Sequence, residues 1–424
     1  MEEERRSLQS QTITSATTDH RAHTVLRHLG SGVGVMSAAS SLLEADDWSG
    51  LAARVGHVRL CGAVVEPLID WHTCPGSTRR FDDDTKAVSA IRSSRHFLRF
   101  KAAAEAARAT GLGLVLNPMS QLYTLDVSAS SLRWVWLAML AEFNSSAWPT
   151  ERVVFELVNE PGNYNNHTVS ASRGRFVDLL PEVLQLIRRE QPSRVLIIGG
   201  EMGYRADAPR RGEFINSGPA LILDAPAIAA ARRYHPHLIG TFHFYRPRAF
   251  TNQGFPEVSV PQPRWEGTAA DVADLATQFD DVHAAAAANG SLPVYLGEFG
   301  VNVDFVPYAP DAAAWMRTVR QLAESRGFGW ALWTYYLSPK ALTTEGSAAM
   351  RLRQWDCSQV RAAAVGAPAE STSHGASCPP RNRSAPVDAE AFAQTRSFHG
   401  GGGACNDRRP RYLQARLRGQ HRAG

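Results

Sequence analysis

The chain has 424 residues, of which 44% are hydrophobic and 20% charged, and its formal net charge is +4 at pH 7. A charge this small on so long a chain gives no reason to expect nucleic acid or a membrane surface as a partner. No apolar run approaches the roughly 18 to 20 residues of a membrane span, and the charged first six residues lack the apolar segment of a secretory signal.

The composition divides the chain into three parts. Residues 1–23 are polar and show no apolar period, which predicts a disordered lead. Residues 24–356 alternate apolar and amphipathic segments and predict one large domain. From residue 357 the sequence consists mainly of Ala, Pro, Ser, Gly and Arg, with too little apolar surface to offset the entropy cost of ordering. Residues 357–424 are therefore predicted to be disordered, with a short binding module as the alternative.

The central part has the alternation of strands and helices that is typical of a parallel α/β sheet. The apolar segments that we interpret as strands are residues 29–35, 57–60, 112–116, 153–158, 194–200, 238–244, 294–296 and 329–334. Eight strands joined by helical crossovers predict a closed (β/α)8 TIM barrel, a fold of about 250 residues that accommodates insertions.

The fourth predicted strand ends in a polar cluster. Residues 153–158 are followed by Asn159, Glu160 and Pro161. Because a proline cannot continue the hydrogen-bond ladder, Asn159 and Glu160 should stand at the carboxyl end of this strand, where α/β barrels carry their active sites. A carboxylate in this position alone could also cap a helix or form a surface ion pair.

The seventh predicted strand repeats this design, because residues 293–296 lead into Gly297, Glu298 and Gly300. Two glutamates at two strand ends indicate a carboxylate pair. Cleavage of a glycosidic bond with retention needs two carboxyl groups about 5 to 5.5 Å apart, one as nucleophile and one as acid/base. Sequence spacing does not measure that distance, which depends on closure of the barrel.

The two segments resemble the acid/base and nucleophile strands of glycoside hydrolase family 5, the cellulase family of retaining barrel glycosidases. The resemblance covers roughly residues 26–340 and includes residues 250–254 and 265–268. It implies Glu160 as acid/base, Glu298 as nucleophile, and a reaction without metal or cofactor.

Three further residues match the family pattern near the nucleophile. The resemblance implies that Arg59 lies near Glu298 and keeps it ionised. His243 and Tyr245 reproduce a His-x-Tyr pattern, and alternate residues of a strand face the same side. His243 would adjust the acid/base and Tyr245 would orient Glu298. An ordinary ion-pair arginine and a buried structural histidine are the alternatives.

Other candidates concern sugar binding. Asn159 is placed to hydrogen-bond the sugar 2-hydroxyl, and Trp333 matches the tryptophan on which a pyranose stacks. Trp330 is interpreted as a core residue. Residues that could line further sugar subsites are Trp71, Trp265 and Tyr335.

One segment departs from the family pattern. The family commonly has a histidine pair after an asparagine that follows strand three, and here Asn117 is followed by Pro118, Met119 and Ser120. Asn117 remains a candidate substrate-binding residue. The departure leaves substrate preference open and admits a carbohydrate-binding protein without turnover as an alternative.

These observations predict a monomeric endo-β-1,4-glucanase that acts on a polysaccharide or oligosaccharide. Mannan, xyloglucan and other β-glucans are alternative substrates, and transglycosylation is an alternative reaction, because loops rather than the carboxylate pair select the sugar. The family implies secretion, although no signal is visible. The five cysteines lack ligand spacing for zinc, and Cys61 and Cys74 could form a disulfide or remain ordinary thiols.

Overall fold

The structure is a computed structural model. It describes residues 20–36, 45–62, 64, 69–70, 77–78, 81, 83–118, 129–159, 176–199, 231–253, 260–262, 264–301 and 309–333. Several predictions lie outside these residues: Glu160, Trp71, Cys74, Tyr335, and the disorder of residues 1–19 and 357–424.

Eight parallel strands close into a barrel, which confirms the predicted fold. They are β1 Ser31–Met36, β2 His57–Cys61, β3 Gly113–Asn117, β4 Val153–Glu156, β5 Leu196–Gly199, β6 Leu238–Phe244, β7 Val294–Phe299 and β8 Gly329–Leu332. Each strand pairs with its neighbours in sequence, and β1 pairs with β8 to complete the ring. The carboxyl ends of all eight strands therefore lie at one end of the barrel.

The helices pack around and below this ring. They are α1 His20–Leu29, α2 Ala45–Ala52, α3 Asp84–Arg92, α4 Arg95–Ala109, α5 Ala129–Glu142, α6 Phe176–Glu190, α7 Arg248–Thr251, α8 Ala269–Ala288 and α9 Ala309–Glu324. Side chains cap several of them, as where Thr268 and Asp271 form a capping box at the start of α8. A two-stranded antiparallel pair, Ile69–Asp70 with Ser77–Thr78, lies in the segment after β2. Of the described helices, none is long and apolar enough to cross a membrane.

Side chains alternate between the inside of the barrel and the layer that faces the helices. The amino-terminal half of the interior is apolar apart from a few groups such as His57, and α1 closes it from below. Its buried residues are Ala22, Val25, Leu26 and Leu29 of α1 with Val115, Val154, Val195, Ile197, Ile239, Tyr295 and Ala331. Polar side chains are buried towards the carboxyl ends of the strands, among them Arg59, Glu156, His243 and Glu298. The barrel thus carries an apolar base and a polar upper end.

Helix α1 was not predicted. It begins at His20, inside residues 1–23 that we interpreted as a disordered lead, and it ends at Leu29, where the first strand was expected to begin. Its four buried residues follow the three- and four-residue spacing of a helix, but polar residues of the lead conceal this short pattern. Gly30, with φ of +63°, turns the chain from α1 into β1.

Candidate active site

A β-bulge in β7 turns Glu298 into the barrel. Phe242 of β6 pairs with Leu296, but His243, the next residue, pairs with Glu298. The ladder with β8 shows the same extra residue, because Trp330 pairs with Leu296 and Leu332 with Phe299. Tyr295 faces the inside of the barrel, and side chains alternate along a strand. Without the extra residue, Glu298, three positions later, would therefore face the helices.

The extra residue is Gly297, and the site has no room for a side chain there. A Cβ at Gly297 would lie 2.8 Å from Thr241 Oγ1 and 3.1 Å from His243 Nε2. Glycine therefore allows β6 and β7 to approach each other at the bulge. The strand predicted as residues 294–296 extends to Phe299, so Glu298 lies within it rather than after it.

Arg59 is the centre of the buried polar network. It lies in the middle of β2, and its Nη1 donates to Glu298 Oε1 at 2.7 Å. Its Nε donates to Glu156 Oε2 at 2.6 Å, and its Nη2 donates to Glu156 Oε1 at 2.8 Å and to Asn159 Oδ1 at 2.6 Å. One guanidinium thereby joins the middle of β2 to the carboxyl ends of β4 and β7.

This guanidinium remains charged although it is fully buried. Burial disfavours the charged form, yet the acidic groups Cys61, Glu156 and Glu298 raise the pKa of Arg59 well above its ordinary value. A permanent positive charge therefore lies buried between Glu156 and Glu298.

His243 of β6 and Tyr245, which directly follows β6, lie next to the other oxygen of Glu298. The Tyr245 hydroxyl donates to Glu298 Oε2 at 2.7 Å, which is the contact that the family resemblance implied. His243 Nδ1 lies 3.5 Å from the same oxygen, and its side chain is buried. Both oxygens of Glu298 therefore have neighbours that restrict their orientation. The predicted effect of His243 on Glu160 stays a prediction, because Glu160 lies outside the described residues.

Trp333 follows β8 and is half-buried beside Arg59. Its ring centroid lies 5.8 Å from the guanidinium carbon of Arg59. The indole packs directly on Gly34 of β1, where a Cβ would lie 2.4 Å from Trp333 Cε3. Trp333 is thus placed at the same end of the barrel as Glu298.

Two other tryptophans are buried. Trp330 lies in the outer core, edge-on to Phe299 with centroids 5.8 Å apart, which confirms its prediction as a core residue. Trp265 was suggested as a sugar-subsite residue, and this is wrong: only 4% of it is exposed, and it packs in the core against Phe250. A buried indole has no face available to a sugar.

Asn117 ends β3 opposite Cys61 of β2 and is fully buried. Its backbone carbonyl accepts a hydrogen bond from Gly62, and that of Pro118 accepts one from Val64. Alternation from the inward Val115 directs the side chain of Asn117 into the barrel, and its role in substrate binding stays a prediction.

The sequence analysis missed Glu156 as a site residue. It was included in an apolar run, although a lone carboxylate inside a buried strand needs a partner. Glu156 lies inside the barrel with 1% of its surface exposed, and Arg59 is its partner. The charge itself was the available signal, but the sequence could not identify which cation would face it.

The sequence resembles the model of one protein family along most of the barrel. Residues 36–337 match the family described as cellulase, glycosyl hydrolase family 5. The chain belongs to glycoside hydrolase family 5. The predicted family is confirmed.

One characterised relative of this family 5 chain is Endoglucanase H of Acetivibrio thermocellus, which is 30% identical over 206 residues. The alignment covers 47% of the present chain but only 18% of the relative. The chain thus matches less than a fifth of that protein's length.

Solved structures share the fold. A hyperthermophilic endo-β-1,4-glucanase, crystallised in complex with substrate, superposes with a TM-score of 0.56 at 22% identity, over 82% of this chain and 99% of that one. Thermotoga maritima Cel5A has been solved in complex with mannotriose and with cellobiose, with TM-scores of 0.56 and 0.55. Both Cel5A structures are 18% identical and cover 81% of this chain and 99% of theirs.

Proposed function

We propose that this family 5 hydrolase cleaves internal β-1,4 bonds of a glucan by a two-step retaining mechanism, with Glu298 as nucleophile and Glu160 as acid/base. The observation that carries the proposal is the fixation of Glu298. Its two oxygens are held by Arg59 and Tyr245, each at 2.7 Å, inside the carboxyl end of a closed barrel. A buried carboxylate held at both oxygens is oriented, as a nucleophile must be.

In the first step, a Glu298 oxygen attacks the anomeric carbon, and the bond from that carbon to the leaving oxygen breaks. Glu160 gives its proton to the leaving oxygen. In the second step, Glu160 takes a proton from water, and the resulting hydroxide oxygen displaces Glu298 from the anomeric carbon. The hydrogen bonds from Arg59 and Tyr245 stabilise the negative charge that returns to Glu298 in this step. Both are already in place before the reaction.

Asn159 precedes Glu160 and is held by Arg59. Because Asn159 Oδ1 accepts from Arg59 Nη2, its Nδ2 is the end of the amide that can donate to a sugar. A donor beside the acid/base suits the 2-hydroxyl, a contact that strengthens as the ring acquires oxocarbenium character.

Trp333 supplies the apolar surface for the sugar ring. Its half-buried indole lies within 5.8 Å of the Arg59 guanidinium, and Arg59 also binds Glu298. A pyranose stacked on this face would sit close to the nucleophile.

The substrate class rests on the relatives as well as on the site. Relatives with this fold include an endo-β-1,4-glucanase, which favours a glucan, while Cel5A was solved with both mannotriose and cellobiose. A β-1,4-mannan is therefore the second candidate. The segment after Asn117, which lacks the family histidines, is one part of the chain that could change this preference.

The test is release of reducing sugar from carboxymethyl cellulose, mixed-linkage glucan, galactomannan, xyloglucan and laminarin. Glu298→Ala should abolish release, whereas Glu151→Gln, which changes a carboxylate exposed on 59% of its side chain before β4, should not. Release from galactomannan alone would replace glucan with mannan. Binding without release from any polymer would overturn the enzymatic proposal in favour of a carbohydrate-binding protein.

Two further measurements address the mechanism. Azide should restore activity of Glu160→Ala on an aryl cellobioside by attacking the glycosyl-enzyme, giving the β-glycosyl azide. Proton NMR of the first product should show the β-anomer. An α-anomer as first product would exclude the retaining mechanism. Products longer than the substrate, formed when a disaccharide acceptor is added, would indicate transglycosylation.

A further inference from the structure

A second carboxylate, Glu156, lies on the opposite edge of the guanidinium that binds Glu298. Glu156 Oε2 accepts from Arg59 Nε at 2.6 Å, and Oε1 accepts from Nη2 at 2.8 Å. This two-point contact is the side-on geometry in which planar guanidinium and carboxylate groups match. The side chain is almost fully buried, with 1% exposed.

The contact determines where the remaining donors of Arg59 point. The guanidinium is rigid and planar, so fixing its Nε and Nη2 edge also fixes the direction of Nη1. In that orientation Nη1 lies 2.7 Å from Glu298 Oε1 and donates to it. Nη2 also donates to Asn159 Oδ1, which lies 2.6 Å away. The Glu156 contact thus sets the orientation in which Arg59 makes the two contacts that concern the reaction.

We propose that Glu156 is a positioning residue of the active site: it clamps Arg59 so that the guanidinium holds both the nucleophile Glu298 and Asn159 beside the acid/base. This inference rests on the proposed function. Glu156 itself need not touch the sugar, because each of its oxygens is directed at Arg59.

Glu156 also divides the positive charge of Arg59 between two carboxylates. The side chains that contact Glu298 are Arg59 from β2, His243 from β6 and Tyr245, which directly follows β6. A neutral residue at position 156 would leave the Nε and Nη2 edge of Arg59 without its carboxylate partner.

The first experiment compares wild type and Glu156→Gln on 2,4-dinitrophenyl β-cellobioside, whose leaving group needs no protonation. The kcat/KM on this substrate therefore reports attack by the nucleophile without proton transfer to the leaving group. In Glu156→Gln, kcat/KM should fall about 10- to 100-fold through misplacement of Arg59. The control is Glu151→Gln, which should leave kcat/KM unchanged.

Glu156→Asp separates position from charge. It keeps the carboxylate but shortens the side chain, so kcat/KM should fall about tenfold or more. A Glu156→Gln protein with kcat/KM within about threefold of wild type would overturn the proposal. If Glu156→Gln does not fold, Glu156→Asp decides: kcat/KM within about threefold of wild type overturns it, and a larger loss at an unchanged melting temperature supports it.

A measurement without substrate distinguishes failure of this inference from failure of the proposed function. If the wild type cleaves no substrate, the proposed function fails, and NMR of protein labelled with [15N]arginine then tests the clamp. The Arg59 Nε–H signal, assigned by its loss in Arg59→Lys, should move upfield in Glu156→Gln, because a neutral amide replaces the carboxylate. An unmoved signal would overturn the clamp.

Discussion

Glu298 faces His243 across the ladder between β6 and β7, although the preceding pair, Phe242 with Leu296, predicts Gly297 in that position. The single extra residue decides which way the carboxylate points. Replacing Gly297 with alanine places a Cβ 2.8 Å from Thr241 Oγ1, which is closer than Cβ atoms normally approach. The strands must separate, and Glu298 must shift relative to its partners.

We expect Gly297→Ala to lower kcat on an aryl cellobioside by about 100-fold, since misplacement by about 1 Å has effects of this size. Steady-state kinetics beside a thermal melt checks this. Gly50→Ala, in α2, is the matched control, because a Cβ there meets only the end of Arg54 at 3.6 Å. Full activity of Gly297→Ala would show that the bulge does not position the nucleophile.

Tyr245→Phe removes one hydrogen-bond donor and no volume. The Tyr245 hydroxyl donates to Glu298 Oε2, so its loss should lower kcat about 10- to 100-fold. The free energy of unfolding should fall by only about 1 kcal/mol, the usual net value of one hydrogen bond. Kinetics and urea unfolding measure the two effects. A loss of stability without a loss of kcat would assign Tyr245 a structural role instead.

The strand pattern was predictable because each strand is a short apolar run that can be read locally. The eight predicted segments match the eight strands, and Arg59, Asn159, Tyr245 and Glu298 lie in one hydrogen-bonded network. Parallel closure explains this result, since residues far apart in sequence meet wherever strand ends converge.

Features that depend on pairing between strands were not predictable. Sequence alternation alone would place Glu298 on the outer side of β7, and only the register with β6 and β8 reveals the bulge. The role of Glu156 depends likewise on an arginine 97 residues away in the sequence. Helix α1 was missed for another reason, because its ten residues are few for a periodic pattern.

Gly34→Ala should weaken substrate binding through Trp333. A Cβ at Gly34 would lie 2.4 Å from the indole, so the ring must move off β1. Because the indole is the proposed stacking surface, we expect KM for cellopentaose to rise several-fold, with a smaller change in kcat. Titration calorimetry in the Glu298→Ala background isolates binding from turnover, with Gly50→Ala as control. Unchanged affinity would argue against Trp333 as the stacking residue.

The base of the barrel contains a buried histidine whose neutral form fits its surroundings. His57 Nδ1 lies 3.1 Å from the carbonyl of Leu29 and donates to it, and Nε2 accepts from the Tyr295 hydroxyl at 2.8 Å. Burial, with a smaller contribution from the positive charge of Arg59, lowers the pKa of His57 from 6.5 to about 4. Hydrogen bonds to the backbone at Leu29 and Ser31 only partly oppose this.

This shift predicts a loss of stability in acid. The unfolded chain takes up a proton on His57 near its ordinary pKa of 6.5, whereas the folded chain does so only near 4. The stabilising contribution is therefore fully present above pH 6.5 and is lost as the pH falls towards 4. At about 1.4 kcal/mol per pH unit, the loss is about 3 kcal/mol.

Urea unfolding between pH 7 and pH 4 tests this prediction. His57→Gln cannot take up the proton, so its free energy of unfolding should fall by about 3 kcal/mol less than that of the wild type over this range. His28→Gln, which changes an exposed histidine at the end of α1, should follow the wild type. If the free energy of unfolding falls equally in wild type and His57→Gln, the pKa of His57 does not differ between the folded and unfolded chains.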